Sequence, residues 1–249
     1  IKGLDDLAKH VDKELDTNMI GWGQKIGLIT KLPPIDPAKP DIAAMQAHAD
    51  AARYLAGYYG RKPQFFPSDV REQLTTAVNK GGDEALAMLG SMNIAFKEQL
   101  PDVMREIAKD APEAAVAGSL FSTNPQASRD IMKAVARAQD PNSKGAIHKP
   151  NRGLESGPTA EEEIGDTFKN FDQTARDTVL RAADAIYTTR NPKPEKWDKD
   201  IYRQAIKDVI GERKDRHGNV YGGTIPTKTG TFWGSSDRIL LRSLRLISR

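Results

Sequence analysis

The chain has 249 residues, 37 Lys and Arg against 34 Asp and Glu for a formal net charge of +3, 38% hydrophobic residues and no cysteine. That length allows one large domain or two small ones, and the lack of cysteine excludes a disulfide framework, thiol catalysis and cysteine-bound zinc or iron–sulfur clusters. No apolar run approaches the ~20 residues of a membrane-spanning helix, nothing at the front has a signal-peptide pattern, and the first residue is Ile1, so the chain is expected to be a piece or processed product of a longer polypeptide.

Helical spacing begins at once. Leu4, Leu7, Ala8, Val11 and Leu15 recur on one face of "LDDLAKHVDKELDTNM", which predicts an amphipathic helix of about four turns. The stretch "GWGQKIGLITKLPPIDPAKP" is expected to break it, because glycines and prolines do not continue a helix. A second helix follows in "DIAAMQAHADAARYLAGYYG", with Ile42, Met45, Ala49, Ala52 and Leu55 inward and Gly60 as its C-terminal glycine.

Asp69 and Glu72 are spaced as a capping box for "VREQLTTAVNK", which Gly81 and Gly82 end, and Asp83 is placed to cap the next helix. Leu86, Leu89, Met92 or Asn93, and Phe96 form the expected buried face of "EALAMLGSMNIAFKEQL". Pro101 and Pro112 each stand at a first-turn position of a further short helix. Such short connections make neighbouring helices pack on one another.

The stretch 139–158, "QDPNSKGAIHKPNRGLESGP", has no periodicity and reads as a linker between domains. Thr159 and Glu162 then open the clearest element. Ile164, Phe168, Phe171, Ala175, Val179, Ala182 and Ile186 follow at spacings of three and four, a near-heptad seam on a helix of about 27 residues. That seam serves either the chain's own core or a coiled-coil contact between subunits. "DKDIYRQAIKDVIG" supplies another helix, with Ile201, Ala205 and Val209 inward, and Gly211 to Ser236 reads as a loop or small hairpin.

Charge is uneven along this order. From Gly211 onward, eight Lys and Arg face three acids, leaving 29 against 31 in the rest. The basic end carries Arg213, Lys214 and Arg216, then Arg238, Arg242, Arg245 and Arg249 at spacings of four, three and four beside Ile239, Leu240, Leu241, Leu244 and Ile247. On a helix that spacing gathers the guanidiniums into one stripe, a contact surface for acidic protein faces, nucleic acid or lipid head groups.

Reactive constellations are wanting. His10, His48, His148 and His217 stand in four separate segments without a metal-ligand spacing. There is no GxSxG elbow and no phosphate-binding GK[ST] loop. Glu155 and Ser156 invite comparison with the Glu-Ser pair of lytic transglycosylases, but they stand in the linker and "TAEEE" follows in place of the downstream motif of those enzymes. No catalytic, cofactor-binding or metal-binding residue is assigned.

The order of parts in "DEALAMLGSMNIAFKEQLPDVMREIAKDAPEAAVAGSLF", together with "IYRQAIKDVIG", "YGGTIPTKTG" and "DRILL" near the end, resembles internal virion (ejection or core) proteins of tailed bacteriophages. The likeness covers roughly residues 83 to 122 and 178 to 241. It implies a non-enzymatic virion component, held inside the capsid and expelled at infection. Such a component assembles with its own copies and other virion proteins into a conduit for DNA across the host envelope, with transient membrane contact after ejection. A DNA-binding helical protein and a non-catalytic part of a virion-associated peptidoglycan lytic enzyme are the rival readings.

The expected architecture is therefore all-α and elongated. It comprises an N-terminal helical region (1–66), a central multi-helix domain (67–138), a linker (139–158), and a long helix with a basic, irregular or hairpin C-terminal segment (159–249).

Overall fold

The structure is a computed structural model and describes residues 2–140, 142, 147, 173–193, 195–210, 212–214 and 220–222. Its described body is all-α. The helices are α1 (Lys2–Thr17), α2 (Met19–Lys25), α3 (Ile42–Tyr59), α4 (Ser68–Asn79), α5 (Gly82–Phe96), α6 (Leu100–Ala108), α7 (Pro112–Leu120), α8 (Pro125–Gln139), α9 (Gln173–Arg190) and α10 (Lys199–Ile210). A single 3₁₀ turn, Lys97–Gln99, links α5 to α6. Beyond α10, strands β1 (Glu212–Lys214) and β2 (Val220–Gly222) pair antiparallel, Arg213 opposite Tyr221, and the rest of the stretch from Gly211 to Ser236 expected as a loop or small hairpin lies outside the described residues.

Local chemistry explains most of the helix ends. Asp41 caps α3 by accepting the Ala43 N–H at 2.8 Å, and Gly60 closes it in the left-handed conformation at φ 63°, as its position in the sequence predicts. Asn124 caps α8 through the Ala127 N–H at 3.2 Å, and Asp198 caps α10 by accepting from Asp200 and Ile201. Pro101 and Pro112 occupy the first turns of α6 and α7, where a missing N–H costs nothing.

Four expectations about ends and faces are corrected. "MIGWGQK" forms α2 despite its two glycines, because burying Met19, Ile20 and Gly23 outweighs their weak helix propensity; Gly23 lets the Leu55 side chain come close. Asp69 does not cap α4, which starts at Ser68 behind Pro67, and Asp83 lies inside the first turn of α5 behind Gly81. On α1 only Leu15 is buried, while Leu4 and Leu7 are 71% and 56% exposed, since α1 packs chiefly on α2.

The described helices on either side of 139–158 share apolar contacts. One apolar cluster runs from Leu15 of α1 through α3 to α10 as far as Ile210. α5 touches α3, α4, α6, α7 and α8, and α7, "PEAAVAGSL", buries every residue from Ala114 to Leu120. A helix apolar on all sides is an interior helix, and its small residues admit close neighbours: a Cβ on Gly118 would lie 2.4 Å from Met104 Sδ. α9 packs on α7, α8 and α10, which carries the segment after the linker into the core of the segment before it.

Polar ties reinforce that docking. Arg190, at the end of α9, binds Asp130 of α8 at 2.7 Å and Asp208 of α10 at 2.5 Å. Arg181 reaches Glu113 of α7 at 2.6 Å. At the α9–α10 corner Tyr187, Trp197 and Tyr202 pack edge-on and tilted with ring centroids 5.1–5.7 Å apart, and the Tyr187 hydroxyl donates to the Lys196 carbonyl at 3.1 Å.

Candidate functional site

Three seam residues of α9 serve the chain's own core. Val179, Ala182 and Ile186 of α9 are fully buried, and Ala175 lies on the same helix. Ile164, Phe168 and Phe171 lie outside the described residues, as do Glu155, Ser156, Arg216, Arg238, Arg242, Arg245 and Arg249. Arg213 and Lys214 stand on β1.

Two surfaces do stand out. The first is the N-terminal face of α1, where Leu4 and Leu7 face solvent and Val11 is half-buried. The second is a cleft of about 270 Å³ between the C-terminal turn of α1, the 61–64 segment and α6, lined among others by Leu15, Asp16, Arg61, Gln64, Arg105 and Glu106.

The segment after Gly60 holds this second surface together. Arg61 forms ion pairs with Asp12 and Asp16 of α1. Gln64 donates to the carbonyls of Leu15 and Asp16 and accepts the Met19 N–H at 3.2 Å. Ser68 donates its N–H to Asn18 and its hydroxyl to the Thr17 carbonyl. Residues 61–68 thus satisfy the free carbonyls at the end of α1 and anchor that helix to the body.

Phe65 is the centre of the segment, and two buried titratable groups flank its peptide. Its N–H donates to Glu106 Oε1 at 2.7 Å, and its carbonyl faces His48 Nδ1 at 3.2 Å. His48 Nε2 faces the Pro33 carbonyl at 3.1 Å, so a neutral imidazole donates to one of two carbonyls only. Burial holds His48 below its ordinary value, against the pull of those two carbonyls.

Glu106 is 8% exposed. Its second oxygen, Oε2, is buried without a hydrogen-bond partner among the described residues. Burial pushes its carboxyl up to about 7; the Phe65 N–H, Arg71 and Lys109 pull it down, and Asp102 adds to the rise. Neither His48 nor Glu106 is marked as a functional residue by the sequence alone. His48 is legible in retrospect, since it shares the inward stripe of Met45, Ala49 and Ala52. Glu106 carried no such signal.

Among the described residues no group of three His, Asp or Glu side chains is placed to hold a metal ion, and no helix is long and apolar enough to cross a membrane. Compared with protein families and with solved structures, the chain matches none of them.

Proposed function

We propose that this protein is a structural component of a tailed-phage virion, an internal ejection protein that works by contact with copies of itself and not by catalysis. The observation that supports self-association is the uncovered apolar face of α1. Leu4 and Leu7 are exposed, and with Val11, which is half-buried against the core, they follow the three- and four-residue spacing of a coiled-coil seam. The flanks carry both signs, Lys9 and Lys13 against Asp5, Asp6, Asp12 and Glu14, so a second α1 offers apolar cover and opposite charges at once. In this reading the chain is held in the virion interior and reaches the host envelope during infection. Its basic C-terminal residues meet acidic surfaces of neighbouring virion proteins, with DNA and lipid head groups as secondary partners.

Native mass spectrometry and light scattering over a range of concentrations test the reading. The wild-type chain is expected to form discrete oligomers, and the double variant Leu4→Glu, Leu7→Glu to be monomeric with an unchanged helical circular-dichroism spectrum. A wild-type chain that stays monomeric at high concentration overturns the reading, as does a double variant that associates as the wild type does.

A further inference from the structure

Apart from its packing on α2 through Val11 and the buried Leu15, the attachment of α1 rests on few groups. Its N-terminal half is uncovered, and its last turn is held by the side chains of Arg61, Gln64, Ser68 and Arg71, the last through the Thr17 carbonyl at 3.5 Å. Beneath that segment lies Glu106, with one carboxyl oxygen satisfied by the Phe65 N–H and the other buried and unpartnered. As a neutral acid the group tolerates this environment; as a carboxylate it leaves a desolvated charge half satisfied. The cleft beside it provides a place where water can enter if Leu15, Asp16 and Gln64 move outward.

We propose that Glu106 is a proton-operated catch on the α1 arm: protonated, it lies closed beneath the 61–66 segment, and ionised, it favours a state in which the cleft between α1 and α6 opens and hydrates Oε2. The inference rests on the reading of α1 as a contact element, and assigns that element a control. Every charged group around the carboxyl enters the balance. Arg71 of α4 and Lys109 of α6 favour the ionised form, and Asp102 of α6 opposes it. Asp16 of α1, Arg61, Lys62 and Arg105 line the same cleft; Arg61 is engaged by Asp12 and Asp16, and Arg105 by Asp102. Burial exceeds the attraction of the cations, leaving the closed form with a carboxyl near 7 against an ordinary 4.5. Across the Phe65 peptide, burial holds His48 below its ordinary value and both of its ring nitrogens face carbonyls, whereas Glu106 is the group whose titration burial raises.

Hydrogen exchange of the Met19 and Phe65 amides reads the catch directly, because these N–H groups donate to Gln64 and Glu106. In dilute protein, corrected for intrinsic exchange, the opening equilibrium at residues 12–19 and 61–66 is expected to rise about tenfold from pH 6 to pH 8. In Glu106→Gln it is expected to stay flat. No rise in the wild type, or an equal rise in Glu106→Gln, overturns the catch. Should Glu106→Gln fail to fold, carbon-13 titration of the wild-type carboxyl decides: a midpoint near 7 supports the catch and one below 5 overturns it. Repeating the exchange in the Leu4→Glu, Leu7→Glu background separates the two readings, since the catch operates whether or not α1 self-associates.

Discussion

Glu106 and His48 sit on opposite sides of one peptide and respond to pH with opposite sign. The Glu106 carboxyl titrates at about 7 in the folded chain against an ordinary 4.5. Between those values the unfolded chain releases its proton while the folded chain keeps it. The stability Glu106 contributes is therefore full below pH 4.5 and lost as pH rises through 7, a change of about 3 kcal/mol at most. His48 lies below its ordinary 6.5, so its contribution is full above pH 6.5 and lost as pH falls toward the folded value. Urea unfolding at pH 5, 6, 7 and 8 is expected to show Glu106→Gln gaining on the wild type as pH rises, by roughly 2–3 kcal/mol across the series. Parallel curves for the two proteins refute the assignment of a raised carboxyl.

At the scale of elements, the docking of α9 depends on a charge that few neighbours can replace. Asp130 of α8 is 3% exposed, accepts from Gln126 at 2.8 Å, and meets Arg190 at 2.7 Å. Burial works against the Arg190 charge, but the hydrogen bonds to Asp130 and Asp208 outweigh it and raise the guanidinium above its usual range. Arg190→Met keeps the stem and removes the charge, leaving Asp130 buried and unpaired, which is expected to cost about 3 kcal/mol. Thermal or urea unfolding measures it, and a loss under 1 kcal/mol shows that the tie is dispensable. Surface pairs such as Arg53 with Asp50 contribute far less, since both partners are more than 60% exposed.

For the whole molecule, the shared core predicts that the pieces do not fold apart. Without α9 and α10, the faces of α7 and α8 that they cover meet water, and Glu113 and Asp130 lose their arginines. A fragment ending at residue 140 is expected to melt without a cooperative transition and to bind a hydrophobic dye. A fragment that unfolds cooperatively at the midpoint of the full chain places a true domain boundary in 139–158.

The sequence by itself determined the all-α class, the two proline-led helices, the Gly60 stop and the inward face of α3, because each follows from residues within one or two turns of each other. It also placed Val179, Ala182 and Ile186 on one seam, while leaving open whether that seam met its own chain or another. Only the tertiary structure decided that α9 lies against α7 and α8, that Leu4 and Leu7 of an ordinary amphipathic pattern stay uncovered, and that "MIGWGQK" is helical. Glu106 makes the reason plain: in "PDVMREIAKDA" it looks like any solvated acid. It becomes a buried, half-satisfied carboxyl because Phe65, 41 positions earlier, is laid across it, and burial by a distant segment leaves no trace in local spacing.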